Sequence, residues 1–252
     1  MEDYNNNIYS GFAYVYDRFM DNIPYGRWHS YIHGLLMDYN INSGIVADLA
    51  CGTGTITSML AKDGYDMAGI DISYDMLCIA RNKCPANVLL LQQDIRELDL
   101  YGSAAAMVCV CDGINYLLDE ESLYKTLCRV QIFLDYGGIF IFDLKTMYFY
   151  ENILGNRVIA DNREDLSLIW ENEFNKDTGI NEYLVTIYSL CDKENGLFER
   201  FDELHRQKAY SIDKIKELVK KAGMETVAVY NAFTKELPLD NSERVYFIVK
   251  KY

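Results

Sequence analysis

The stretch Ile45-Val46-Ala47-Asp48-Leu49-Ala50-Cys51-Gly52-Thr53-Gly54, running on into Thr55 to Lys62, decides how this chain is read. An apolar run with an acidic residue near its end, then a glycine-rich turn, reads as a buried strand feeding a tight loop. After it Ile56, Met59 and Leu60 recur at helical spacing. Strand, glycine turn and helix make a nucleotide cradle, because only glycine turns this sharply and lets a ligand approach the backbone. A dinucleotide fingerprint needs a third glycine where this chain has Thr57, so close pyrophosphate packing is not prepared. The carboxylate of Asp48 suits a cationic, amino-acid-bearing ligand better than a pyrophosphate.

Outward from this stretch the pattern repeats. Met67 to Asp71 is a second apolar run with an acidic end, followed by Ile72-Ser73-Tyr74-Asp75-Met76-Leu77. A carboxylate about 20 residues past the glycine turn is placed to grip a ribose diol. Its alternative as a helix cap is already served by Ser73. Val88 to Ile95 reads as a third strand carrying Asp94, and Ala105 to Cys111 as a fourth, ending in Asp112-Gly113-Ile114-Asn115-Tyr116-Leu117. A helix over Glu120 to Leu134, a glycine stop at Gly137-Gly138 and a fifth strand, Gly138 to Leu144, follow. In an open parallel sheet, carboxylates at successive strand ends line one crevice.

The motif around Asp48, Gly52 and Gly54, with Ala50 in place of a first glycine, resembles that of the class I S-adenosylmethionine-dependent methyltransferases. The resemblance implies S-adenosylmethionine as cofactor. It places Asp48, Ala50, Cys51, Gly52, Thr53 and Gly54 around it at the turn, and Asp71, Ile72 and Met76 after the second strand. Asp94 and Ile95 follow after the third strand, and Cys111, Asp112 and Asn115 after the fourth. It assigns the adenine amino group to Asp94 and the ring faces to Ile72 and Ile95. The opening Tyr9 to Asp17, the Cys111 to Tyr116 motif and Glu203-x-His205-x-Gln207-x-x-Tyr210 look like one bacterial group of small methyltransferases with a β-rich lid. Similar sugar-amine N-methyltransferases place an N-terminal helix tyrosine beside the reacting methyl, and Tyr16 falls at that position.

The expected architecture is α/β: a Rossmann-like, mostly parallel sheet with an antiparallel last strand and an inserted antiparallel lid. Residues 1–40 form a helical cap, read as helix from about Ile8 to Tyr39 with Tyr9, Phe12, Ala13, Tyr16 and Phe19 on one face and a break at Pro24. Residues 41–146 and 211–252 form the cofactor core, closed by a helix capped at Ser211 and two strands, Thr226 to Tyr230 and Val245 to Lys250. Residues 147–210 form the lid, where alternation of strand and helix gives way to period two: Leu168, Trp170 and Phe174, then Tyr183, Val185 and Ile187, then Phe201 to Ala209. On that last strand Glu203, His205 and Gln207 share one face, as a solvated face or a pocket wall.

Composition sets limits. The 252 residues suffice for one large core with a small appended subdomain. A formal net charge of −14 argues against nucleic acid, whose phosphates need Lys and Arg. No apolar run reaches membrane-spanning length, and Met1-Glu2-Asp3-Tyr4 is acidic where a secretory leader is basic, so a cytoplasmic protein is expected. Seven cysteines, mostly inside apolar segments, read as core residues of a reducing compartment. No metal set is expected: His29 and His33, one helical turn apart, lack visible further ligands.

An activated methyl asks for alignment, exclusion of water and, for a protonated acceptor, removal of one proton. His205 is the candidate base, Glu203 its orienting partner, and Tyr16 the residue across the methyl. The Asn/Asp-Pro-Pro-aromatic motif of exocyclic amine methylation is absent after the fourth strand. Cys84-Pro85 reverses the Pro-Cys order that cytosine C5 methylation needs. A small-molecule amine, hydroxyl or carboxylate therefore stands ahead of protein or RNA acceptors. The alternatives are an NAD-dependent reductase and a non-catalytic S-adenosylmethionine-binding protein.

Overall fold

The computed structural model describes residues 13–252; the expectations placed on Ile8, Tyr9 and Phe12 lie outside them. Two sheets organise the chain. The larger has seven strands in the order β10-β11-β5-β4-β1-β2-β3. At its centre β1 (Ile45–Leu49) pairs in parallel with β2 (Asp66–Asp71) on one side and β4 (Ala104–Cys109) on the other. The strand order reverses there, and the crevice beyond the carboxyl ends of β1 and β4 is where such sheets bind ligands. β3 (Leu89–Gln92) forms one edge, and Asp94 and Ile95 lie beyond its end, in a 3-10 turn capped by the Asp94 side chain on the Arg96 N–H at 2.8 Å. Parallel pairing continues from β4 to β5 (Leu134–Lys145), while β11 (Arg244–Lys250) runs antiparallel to both β5 and β10 (Glu225–Asn231).

The sheet is apolar on both faces, as helices on both sides require. Leu49, Phe140, Phe142 and Phe247 face α5 (Glu120–Phe133) and α6 (Ile212–Lys221). Val46, Ile139, Ile141 and Ile248 face α2 (Tyr25–Asp38) and α3 (Thr55–Lys62), the helix that opens at the glycine turn. Serine caps fall where expected: Ser73 accepts the Met76 N–H at the start of α4 (Tyr74–Lys83), and Ser211 that of Lys214 at the start of α6.

The glycine pair Gly137-Gly138 departs from its expected role as a stop. It lies inside β5, with Gly137 at φ +81°. A Cβ on Gly138 would stand 2.8 Å from the Ala105 carbonyl oxygen, so the glycines admit a bulge where β5 crosses close to β4.

The second sheet is antiparallel, β6 (Val158–Asn162), β7 (Leu166–Asn175), β8 (Ile180–Asp192) and β9 (Leu197–Lys208), inserted between β5 and α6. Period-two patterning does not mark β6, a short, mostly exposed edge. A single π-helical turn, Phe149–Leu154, leads into this sheet and was likewise unsignalled. On its inner face Leu168, Tyr183, Val185 and Ile187 pack with Val15 and Phe19 of α1 (Ala13–Phe19) and with Met76 of α4. The N-terminal helix is thus wedged between core and inserted sheet.

Candidate active site

The glycine turn is shaped by three left-handed residues, Ala50 (φ +57°), Gly52 (φ +54°) and Gly54 (φ +72°). At Gly54 a Cβ would strike Cys84 Sγ and Ala80 Cβ of α4, at 2.8 and 2.9 Å, so glycine is required for packing. At Gly52 a Cβ would meet nothing within 4 Å, so that backbone faces open space. Ala50 carries the strain of its conformation, about 1–2 kcal/mol for a residue with a Cβ. Room for its methyl comes from Gly113, whose own Cβ would lie 3.0 Å from it.

Asp71 closes the cradle. Its two oxygens accept the N–H groups of Gly52 and Ser73, each at 2.8 Å. Burial raises its carboxyl above the ordinary range, and these backbone donors pull the other way. Beside it Ile72 is 55% exposed, an uncovered apolar surface at the mouth of the crevice. Asp48, only 2% exposed, lies beneath the turn rather than at its mouth, and accepts a hydrogen bond from Thr57 at 2.5 Å. Burial pushes its carboxyl up to about 7. Thr57, the residue that breaks the dinucleotide pattern, therefore has a role of its own. Asp94 is paired through both oxygens with the Arg96 guanidinium; burial would raise its carboxyl, but these bonds hold it below the usual range.

After β4, Cys111 (φ +64°) and Asp112 (φ +72°) turn the chain sharply. Asp112 pairs with Lys145 at 2.7 Å and Arg244 at 2.5 Å, and Arg244 also pairs with Asp143. Burial works against the Asp112 anion, but the two cations outweigh it and keep the carboxyl below its ordinary range. Beside these pairs opens a depression of about 570 Å3, lined by Lys145, Phe149, Asn231, Phe233, Asn241 and Arg244. It borders the Asp112 side of the crevice and contains no residue of the glycine turn.

Two residues expected at the cofactor have other contacts. The fully buried Asn115 donates to the carbonyls of Lys208 (2.8 Å) and Lys145 (3.3 Å) and accepts the Lys145 N–H (3.0 Å). Its amide ties the inserted sheet to the end of β5. Met76 is buried against α1 in the cluster that supports the inserted sheet.

The face carrying Glu203, His205 and Gln207 is a buried wall, not a solvated one. His205 is 1% exposed; its Nε2 lies 3.2 Å from Glu203 Oε2 and its Nδ1 3.3 Å from the Tyr116 hydroxyl. Tyr116 also meets the Tyr183 hydroxyl at 2.8 Å, and the Tyr183 ring stacks on His205 at 4.9 Å. Gln207 accepts from Tyr150 at 2.9 Å. Tyr16 is half-buried on α1, shares a hydrogen bond with Tyr25, and lies within electrostatic reach of Cys111 and Tyr116. Burial pushes the Tyr16 and Tyr183 hydroxyls well above the usual range, so both are neutral donor-acceptors. Sequence pattern gives Tyr116 and Tyr183 no site role of their own. Tyr116 sits in the quoted motif after the fourth strand, but only the docking of the two sheets gives it His205 as a partner.

Gly52 facing open space, Asp71 at the end of β2 and uncovered Ile72 beside it suit an adenosyl group. Comparisons with known proteins agree. Residues 46–138 match the family model described as a methyltransferase domain. A protein of a Geobacillus species, provisionally named a methyltransferase, is 34% identical over 96% of this chain and 99% of its own length. The dTDP-3-amino-3,4,6-trideoxy-alpha-D-glucopyranose N,N-dimethyltransferase of Streptomyces venezuelae is 30% identical over 59% of this chain and 62% of its own. The crystal structure of an S-adenosylmethionine-dependent methyltransferase from Clostridium acetobutylicum superposes with a TM-score of 0.84 at 26% identity, covering 96% of this chain and 98% of that one.

Proposed function

Because this chain belongs to the class I S-adenosylmethionine-dependent methyltransferases, we propose that it methylates the nitrogen of a small amine-bearing acceptor, held between the strand ends and the inserted sheet. The buried polar wall of Glu203, His205 and Gln207, backed by Tyr116, Tyr150 and Tyr183, carries this reading. The amino-sugar substrate in the name of the Streptomyces venezuelae relative supports a nitrogen acceptor of small size. In this reading residues 147–210 act as an acceptor lid, residues 41–146 and 211–252 as the cofactor core, and the N-terminal helices as a cap. Among the described residues no helix is long and apolar enough to cross a membrane, which fits a small acceptor met in water.

The cofactor supplies a methyl group already activated by the positive sulfur that bears it. The chain's own residues hold it. Ala50, Cys51, Gly52, Thr53 and Gly54 offer backbone, and Asp71 keeps acceptor capacity for a ribose hydroxyl, since a carboxylate has about four acceptor positions and the backbone N–H groups of Gly52, Ile72 and Ser73 use three. Ile72 and Ile95 offer apolar faces to adenine with Asp94 at its edge. Cys111 and Asp112 border the methionine end, and Asp48 adds negative potential beneath a cationic ligand. Met76 and Asn115 act through support, by packing α4 and tethering the lid.

Proton handling falls to the lid. In this reading the Glu203 carboxylate, 3.2 Å from His205 Nε2, favours the tautomer with its proton on Nε2 and leaves the Nδ1 lone pair for Tyr116. Tyr116 then takes a proton from the acceptor nitrogen as it passes its own to His205. His205 is a positioning and relay residue behind Tyr116, and Tyr16 orients the acceptor from α1. The test is turnover with a panel of amino sugars and small amines, read as release of adenosylhomocysteine. Tyr116→Phe and His205→Gln should lower kcat about 10²-fold or more and move the acid limb of the pH profile, with cofactor affinity intact. If both variants turn over within about twofold of wild type with an unmoved profile, the relay is wrong.

A further inference from the structure

We propose that His29, His33 and Asp63 form a site for one divalent cation of the zinc type, on the face of the core away from the lid. The pair His29 and His33 projects one turn apart from α2, beside the face that buries Trp28, Ile32, Leu35 and Leu36. Sequence spacing alone left this pair without a third ligand; the fold supplies one, 30 residues on. Asp63, the C-cap of α3, places a single oxygen, Oδ2, 2.6 Å from His29 Nε2 and 2.7 Å from His33 Nδ1. The three ligand atoms lie within 4.8 Å of one another.

Three observations point to a cation. A carboxylate at a helix C-terminus sits at the negative end of the macrodipole, so positive charge beside it is favoured. The imidazoles are already aimed: His29 and His33 rings meet edge to face at 5.9 Å, and the His33 ring rests edge-on against Tyr65 at 5.9 Å. Two nitrogens and one carboxylate oxygen, all partly exposed, form a donor set that suits zinc with a fourth position open to water. Tetrahedral bonds of about 2.0–2.1 Å need ligand atoms roughly 3.4 Å apart, a parting of several tenths of an ångström that partly exposed side chains can make. A bound ion would clip α2 onto α3 at the end remote from the glycine turn, and the proposal stands apart from the choice of acceptor.

Calorimetric titration of chelator-treated full-length protein with zinc should show about one equivalent bound. Asp63→Asn and His33→Asn should each weaken it tenfold or more, and zinc should raise the thermal midpoint of wild type but of neither variant. Cobalt(II) distinguishes this set from the chain's free cysteines, because a nitrogen-oxygen site shows no thiolate charge-transfer band. Absence of zinc binding, equal binding by both folded variants, or a thiolate band in the cobalt complex would overturn the site.

Discussion

The glycine turn is held by side chains beneath and beside it more than by the turn itself. Asp48 shows this most clearly: a carboxylate that accepts from Thr57 is enclosed close to Asp71, and burial lifts it to about 7. Its folded pKa exceeds the ordinary unfolded value near 4, so the folded state binds the proton more tightly. The associated stability is complete below about pH 4 and is lost as pH rises towards 7. Asp48→Asn keeps an oxygen to accept from Thr57 and cannot ionise. The unfolding free energies of variant and wild type, measured by denaturant titration without cofactor, should diverge in favour of the variant between about pH 4 and 7 and then run parallel, by at most a few kcal/mol. A difference independent of pH would show that Asp48 titrates normally.

Among elements, α1 is the piece that touches both the glycine turn and the inserted sheet. Lys83, the last residue of α4, donates to Asp17 of α1 at 2.6 Å, and to Thr53 of the turn and Thr55 at the start of α3 at 2.8 Å each. Asp17 also accepts from Thr53 at 2.7 Å. One ammonium therefore joins the helix bearing Tyr16 to the loop bearing Gly52. The pair is partly exposed, so its contribution to stability is modest, about 1 kcal/mol or less; its weight lies in position. Lys83→Met keeps the apolar stem and removes the charge. Cofactor affinity should fall a few-fold and kcat with it, while the thermal midpoint moves little, about 2–4 °C. Unchanged affinity and kcat in a folded Lys83→Met would remove the tether from the functional account.

At the scale of the molecule, cradle and wall belong to different sheets joined at few places. The two ends of the inserted segment meet: Leu154, Tyr150 and Ala209 share one buried cluster. Residues 156–208 can therefore be replaced by a short glycine-serine linker without stretching the core. The shortened protein should keep cofactor affinity within about tenfold, because Gly52, Asp71 and Ile72 remain, and should lose transfer by 10²-fold or more. Calorimetry and turnover on the same folded sample check this; transfer at the wild-type rate would end the lid assignment.

What the sequence by itself determined is whatever short-range pattern encodes. A strand, a glycine turn and a helix within 18 residues, acidic residues at strand ends and a switch from alternating elements to period two each follow from local backbone preference and side-chain periodicity. From them the mixed sheet, the inserted sheet and the cofactor were all legible. Placing Gly137-Gly138 inside β5 was not, because the constraint is the Ala105 carbonyl of another strand. Tertiary structure alone decided which polar residues meet. Tyr116 reaches His205 across 89 positions, Asn115 reaches Lys208 across 93, and Asp63 comes between two histidines about 30 positions earlier. It also turned Asp48 inward and buried the Glu203 face. The physical reason is that burial and partner choice depend on which surfaces dock, and docking is set by the summed apolar faces of whole elements rather than by the residues flanking a motif.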